Sequence, residues 1–259
     1  MERRRWLRAI GAFGIWGSAG CLRSDDVDGT TPPTSEEAAD GDGNGASATE
    51  RRAAPSALPR PGTVEGDASV SAAIADRRSR RSYGTEPVTA AELGQLLWAA
   101  QGTTKRRTGR RDLRAAPSAG ATYPLELFVV IGDPGVVEFD VGIYHYERTD
   151  HALELVEGGN HQTELQEIAV DQDHVGDAAL DVVITGVDER TTQKYGERGR
   201  RRYVPIEVGH AGQNIYLQAE SLGLSTVAIG AFRDDDLRTL LNVSDSHRPL
   251  CIYPVGRRW

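Results

Sequence analysis

The chain has 259 residues, enough for one large domain or two small ones, and a formal charge of −8. Its positive charge is almost all arginine, since Lys105 and Lys194 are the only lysines, and this acidic balance argues against a general nucleic-acid binder. Two cysteines cannot build a disulfide framework, so the fold must rest on its hydrophobic core.

The N-terminus reads as an address. Arg3-Arg4-Arg5-Trp6-Leu7-Arg8 resembles the twin-arginine export motif. The apolar run Ala9 to Ala19 is too short to span a bilayer and suits a signal's hydrophobic region. Ser18-Ala19-Gly20-Cys21 resembles a lipobox with Cys21 as the lipidated residue, although Ser18 stands where leucine is usual. A basic amphipathic helix lying on a membrane is the competing reading. Residues 22–61 are acidic and poor in large apolar groups, which predicts a disordered tether. The expected organisation is therefore a signal over 1–21, a tether over 22–61 and a catalytic domain over 62–259, exported and anchored to the outer face of the cell membrane.

Globular patterning begins at Ser69. Val70, Ala73 and Ile74 predict a helix running into Arg77-Arg78-Ser79-Arg80-Arg81. Thr89 and Glu92 form a capping box for a second helix, with Leu93, Leu96, Leu97 and Ala100 along one face. Lys105 to Arg114 is a basic loop without periodicity. Pro117 and Pro124 then bracket Ser118-Ala119-Gly120-Ala121, whose near-absent side chains would let a flat ligand lie against the backbone; a tight loop entering a strand is the alternative. Strands are expected at Leu125–Ile131, Ile143–Tyr146 and Val182–Val187. A short helix capped by Asn160 should run through Leu165 and Ile168. A longer one should cover Ile206 to Leu222, closed by Gly223. Two further strands, Thr226–Gly230 and Leu250–Val255, flank a helix near Asp234–Leu241. The interleaving predicts an α+β or α/β class with a central sheet.

Arg77, Arg78, Ser79 and Arg81 offer guanidinium forks and a hydroxyl suited to phosphate oxygens, and Arg257 follows a predicted buried strand. A solvated charge run is the alternative for that cluster. No G-x-G-x-x-G follows a strand and no P-loop occurs. Ala116 to Gly120 nearly matches a nucleophile elbow, but it lacks the strand before and the helix after the serine. The six histidines show no metal-ligand spacing, the Asp171-x-Asp173 loop lacks ligands where Val175 and Val182 stand, and Cys251 reads as core. Lys194 beside Tyr195 pairs a residue that can take a proton with one that can relay it, the alternative being an exposed lysine in a polar turn.

Arg77-Arg78-Ser79-x-Arg81, Pro117-Ser118-Ala119-Gly120-Ala121-x-Tyr123-Pro124, Lys194-Tyr195, Gly209-His210-x-x-Gln213-Asn214 and Ile229-Gly230 occur in one order. That order resembles the flavin-dependent nitroreductase superfamily, closest to SagB-type thiazoline/oxazoline dehydrogenases, over about Ser69 to Trp259. The resemblance implies an α+β fold with a central mixed sheet flanked by helices, a homodimer, and FMN at the dimer interface. It implies that Arg77, Ser79, Arg81 and Arg257 hold the FMN phosphate and ribityl chain, with Arg78 beside them. Pro117, Ser118, Ala119 and Gly120 would line the isoalloxazine from the partner chain, and Ile229, Gly230 and Ala231 from the home chain. Asn214 would pack near the flavin or the interface. Lys194 and Tyr195 would be catalytic, handling the proton while hydride passes from a small or peptide-derived substrate to the flavin. The alternatives are an NAD(P)H-dependent reductase and a non-catalytic flavin-binding lipoprotein. The export signal departs from the family pattern, whose peptide-modifying members work in the cytoplasm.

Overall fold

The structure is a computed structural model that describes residues 54–64, 66 and 68–259. The expected signal, Cys21 and the tether up to residue 53 lie outside the described residues. In chain order the elements are β1 (Ser56–Ala57), α1 (Val70–Asp76), α2 (Ala90–Gln101), β2 (Thr103–Lys105), β3 (Leu113–Arg114), β4 (Leu125–Ile131), β5 (Gly142–Glu147), β6 (Ala152–Gly158), α3 (Gln162–Ile168), α4 (Asp173–Gly176), β7 (Leu180–Val187), α5 (Glu189–Tyr195), α6 (Val204–Ser221), β8 (Leu224–Thr226), α7 (Asp234–Leu240) and β9 (His247–Arg257). A π-helical stretch, Gly199–Tyr203, leads directly into α6.

A seven-stranded sheet in the order β1-β6-β5-β4-β7-β9-β8 forms the centre. β4 lies in the middle and is buried at every residue, because both of its faces are covered. Alternate side chains of a strand point to opposite faces, so Leu125, Leu127, Val129 and Ile131 meet one core and Phe128 and Val130 the other. The first core is closed by Leu93, Leu96 and Leu97 of α2 and by Ala211, Ile215 and Ala219 of α6. The second is closed by Leu165 and Ile168 of α3, Val175 of α4 and Leu237 and Leu240 of α7. The α+β class and the flanking helices stand as expected, but every pairing between strands of the sheet is antiparallel rather than mixed.

The capping box at α2 forms as read: Thr89 Oγ1 accepts from the Glu92 N–H, and the Glu92 carboxylate accepts from the Thr89 N–H at 2.8 Å. Other expectations shift. The folded part begins inside the segment read as tether, since Ser56–Ala57 pairs with β6 and Leu58 is buried, its N–H donating to His151 O. α1 ends at Asp76, before the arginine cluster, and of its apolar face only Ala73 is buried. The basic loop after α2 contains the β2–β3 hairpin. β6 gives little sequence signal, because its glutamates interrupt the apolar residues and only Ala152 and Leu153 are fully buried. The strand expected over Thr226–Gly230 stops at Thr226, and Ile229 makes an isolated bridge to Ile252.

Candidate active site

Arg77 follows α1 with φ −52° and ψ 127°, turning the chain into an extended run in which successive side chains point to opposite sides. Its guanidinium stands 5.0 Å over the ring of Tyr216 on α6. Ser79 Oγ is 2.9 Å from the Tyr216 hydroxyl, which also accepts from the Ala228 N–H at 2.8 Å. Tyr216 thus gathers Arg77, Ser79 and the backbone leading to Ile229-Gly230-Ala231. Arg80 faces the other way and pairs with Glu220 at 2.7 Å, a carboxylate that Arg258 shares at 2.8 Å.

Three members of the expected phosphate set are placed elsewhere. Arg257 forms a two-pronged ion pair with Glu92, 2.6 and 2.9 Å. Burial alone would raise the Glu92 pKa, but the bonds from Arg257 and Thr89 hold it below its ordinary value. Arg78 folds back onto the carbonyls of Ala75 and Arg77. Arg81 lines a separate cavity of about 610 Å³ with Tyr83, Asp177 and Trp259. Ile229 turns its side chain into the second core, leaving Gly230 and Ala231 as the exposed part of their segment.

The loop from Pro117 to Tyr123 is wound tightly, with positive φ at Gly120 (61°), Ala121 (54°) and Tyr123 (48°). Ser118 Oγ accepts from the Tyr123 N–H at 2.8 Å and closes it. α5 clamps the loop from one side. The Thr122 and Thr191 hydroxyls are 2.8 Å apart, and Arg190 donates to Tyr123 O at 3.3 Å. Lys194 and Tyr195, one turn further on, reach Gly120. A Cβ there would crowd the tips of both side chains, the Tyr195 hydroxyl and Lys194 Nζ, so a larger residue at this positive-φ position would displace them. Lys194 and Tyr195 therefore lie on a helix against the small-residue loop, rather than in a polar turn. Tyr195 is braced edge-on by Tyr203 of the π-helical stretch at 4.9 Å.

α6 supports the loop from beneath. His210 Nδ1 lies 3.3 Å from Pro117 O. Asn214 donates to Ala99 O at 2.8 Å and lines an apolar groove with Val70 and Trp98. Glu207, which drew no attention in the sequence, is 2% exposed beside Ser118 and the Arg114 guanidinium. Burial pushes its carboxyl pKa up to about 7. Glu126 was also missed, hidden in the apolar run of β4. Its buried carboxylate meets Arg190, Arg148 at 3.1 Å and His145 at 3.3 Å. Burial would raise its pKa, but these partners outweigh that and hold it down at about 2.

Arg77 has no carboxylate partner among the described residues, and with Ser79 it offers the charge-assisted donors a phosphate needs. Exposed backbone at Gly120 and Gly230, where a Cβ at Gly230 would meet nothing within 4 Å, suits a planar ring. Among the described residues no group of His, Cys, Asp and Glu could hold a metal ion. Arg77 and Ser79 thus suit a phosphate and the open glycines a planar ring, while the lysine–tyrosine pair lies at Gly120.

The nitroreductase family model matches residues 74–257. MJ1384 of Methanocaldococcus jannaschii, named a nitroreductase, is 42% identical over 182 residues, covering 70% of this chain and 87% of that protein. The trifolitoxin-processing protein TfxB of Rhizobium leguminosarum bv. trifolii is 31% identical over 120 residues, 45% of this chain and 32% of that protein, so the match spans about a third of TfxB. Among solved structures, a chain of the Escherichia coli microcin synthetase McbBCD, in complex with truncated pro-MccB17, superposes with a TM-score of 0.59 at 25% identity, covering 80% of this chain and 78% of that one.

Proposed function

The chain belongs to the nitroreductase family, and from that premise we propose that it is an FMN-dependent dehydrogenase of the SagB type, acting on a small or peptide-derived substrate. The observation that carries this reading is the convergence of Lys194 Nζ and the Tyr195 hydroxyl on Gly120. Arg77 and Ser79 would hold the FMN phosphate, with Gly230 and Ala231 beside the ring. In a homodimer, Pro117 to Gly120 of one protomer would line the ring bound by the other. The flavin supplies hydride acceptance. The protein's own part is proton handling. Lys194 lies exposed at the open side of the loop, where its Nζ can take a proton from an arriving substrate. Tyr195 lies beside Lys194, with Nζ 5.3 Å from its ring centre. TfxB, named for toxin processing, and the microcin synthetase bound to a precursor peptide support the peptide-derived choice.

A second reading, a reductase fed by NAD(P)H, is favoured by the name of the 42% identical relative. Anaerobic stopped-flow reduction with NADH, NADPH and a thiazoline-bearing peptide separates the two. On the dehydrogenase reading the peptide bleaches the flavin, and Lys194→Ala slows that by roughly 10²–10⁴-fold while FMN stays bound. Lys194→Arg does not rescue, because arginine keeps its proton. Reduction by dithionite is the same in every variant. Wild-type bleaching by Lys194→Arg overturns the proton role. Bleaching by the nicotinamides alone favours the reductase, and no bleaching by any donor leaves a flavin binder without turnover.

A further inference from the structure

A second concentration of positive charge lies next to the lysine–tyrosine pair. A cavity of about 440 Å³ opens beside Thr122 and Tyr123 and is lined by Arg111, Arg114, Arg148 and Arg190. Two of these share one carboxylate: Arg148 and Arg190 both pair with Glu126. Arg111, an exposed residue, donates from a single nitrogen to Ala121 O and Thr122 O, at 3.3 and 2.7 Å. Arg114 is the unusual one. Its guanidinium stacks 4.4 Å over the Tyr123 ring and donates to Gln101 Oε1 at 2.8 Å, with no carboxylate in ion-pair contact among the described residues.

The charge does not cancel. Against four guanidinium groups stand Glu126 and Asp112 at the cavity, and Asp112 already accepts from the Arg107 N–H. Glu207 faces Arg114 from α6, and even fully ionised it leaves a net charge of about +1. Burial above all, helped by the neighbouring Arg148, pushes the Arg114 pKa down to about 10. Each guanidinium has five donors, and the bonds above use only a few of them. An anion in the cavity would offset this excess positive charge.

Its position says whose anion. Arg190 and Lys194 stand four residues apart on α5, so their side chains are neighbours on one helix face. Arg111 and Arg114 lead straight into the loop that Lys194 and Tyr195 touch. We propose that this cavity is an anion subsite for the molecule that donates hydride, binding a carboxylate or phosphate group of that molecule about one helical turn from Lys194 Nζ. The proposal rests on the reading of Lys194 and Tyr195 as the reaction centre. Planar guanidinium forks suit either oxyanion, which leaves two sources: an acidic side chain or terminal carboxylate of a peptide, or the phosphates of a nicotinamide dinucleotide.

The test uses the FMN-loaded protein, so that Arg77 and Ser79 are already occupied. Calorimetric titration at low ionic strength with glutarate and with pyrophosphate reads the subsite directly. At least one should bind, and Arg111→Gln and Arg114→Gln should each weaken it roughly ten- to a hundred-fold. Arg201→Gln, an exposed arginine whose one ion-pair partner among the described residues is Glu197, should leave it unchanged. Arg111 is exposed, so its variant keeps the test valid if Arg114→Gln folds poorly. A KM for NADPH raised by Arg111→Gln assigns the site to dinucleotide phosphate. A KM raised for an acidic peptide and not for its amidated analogue assigns it to carboxylate. Neither anion binding, or binding indifferent to both substitutions, overturns the subsite whatever the flavin does. Binding that obeys the substitutions in a protein whose flavin no donor bleaches supports the subsite and sinks the dehydrogenase reading alone.

Discussion

At the scale of single residues, the buried carboxylates divide by their partners. Glu126 is surrounded by cations and sits at about 2, whereas Glu207 and Asp181 are raised by burial. Their pH signatures therefore have opposite signs. A group depressed from 4.5 to about 2 contributes stability that is full above 4.5 and lost as pH falls toward 2. The gap corresponds to about 3 kcal/mol. Glu207, raised from 4.5 to about 7, costs stability as pH climbs through that window. Glu126→Gln should lower the urea-derived stability by about 3 kcal/mol at pH 7, with the difference from wild type closing as pH approaches 2. A deficit that stays constant from pH 7 to pH 3 would mean that lost packing, and not the charge cluster, is what the substitution removes.

At the scale of elements, the working parts are short. α5 spans seven residues, too few to show a helical period, and no side-chain cap marks its start. It holds its shape through contacts with the Pro117–Tyr123 loop, so its role emerges only once the two are folded together. α1 is the reverse case, because it keeps its period but points it outward. Val70 is 71% and Ile74 58% exposed, beside an apolar groove lined in part by Trp98 and Leu217. An apolar helix face left in water is costly, and a second copy of the chain in the proposed homodimer would cover it. Val70→Asp combined with Ile74→Asp should turn a dimer into a monomer in sedimentation velocity. A dimer that persists would place the interface on another face.

At the scale of the whole molecule, the described residues belong to one compact unit, and among them no helix is long and apolar enough to cross a membrane. We propose that Arg3-Arg4 directs export and that Cys21 carries a lipid, holding the catalytic domain off the outer membrane face. Arg3→Lys with Arg4→Lys should leave the protein in the cytoplasm on fractionation, and Cys21→Ala should release exported protein into the soluble fraction. Unchanged delivery in the first variant, or tight membrane association in the second, would defeat the corresponding half of the proposal.

Much of this architecture was legible in the chain, because local signals repeat where packing demands them. The capping box at Thr89, the apolar run of β4, the period of α6 with Gly223 behind it, and the order of the arginine, Pro117–Gly120 and Lys194-Tyr195 motifs all follow from the sequence alone. What the sequence could not decide is where a long, charged side chain ends up. Arg77, Arg80, Arg81 and Arg257 look alike in a linear reading. The fold sends one to Tyr216, one to Glu220, one to a different cavity and one to Glu92. The same holds for Glu126 and Glu207, whose partners come from up to about a hundred positions away. A guanidinium or carboxylate is satisfied by whichever opposite charge the packing of α2, α5, α6 and the sheet brings within reach. That distance exists only after the strands have paired.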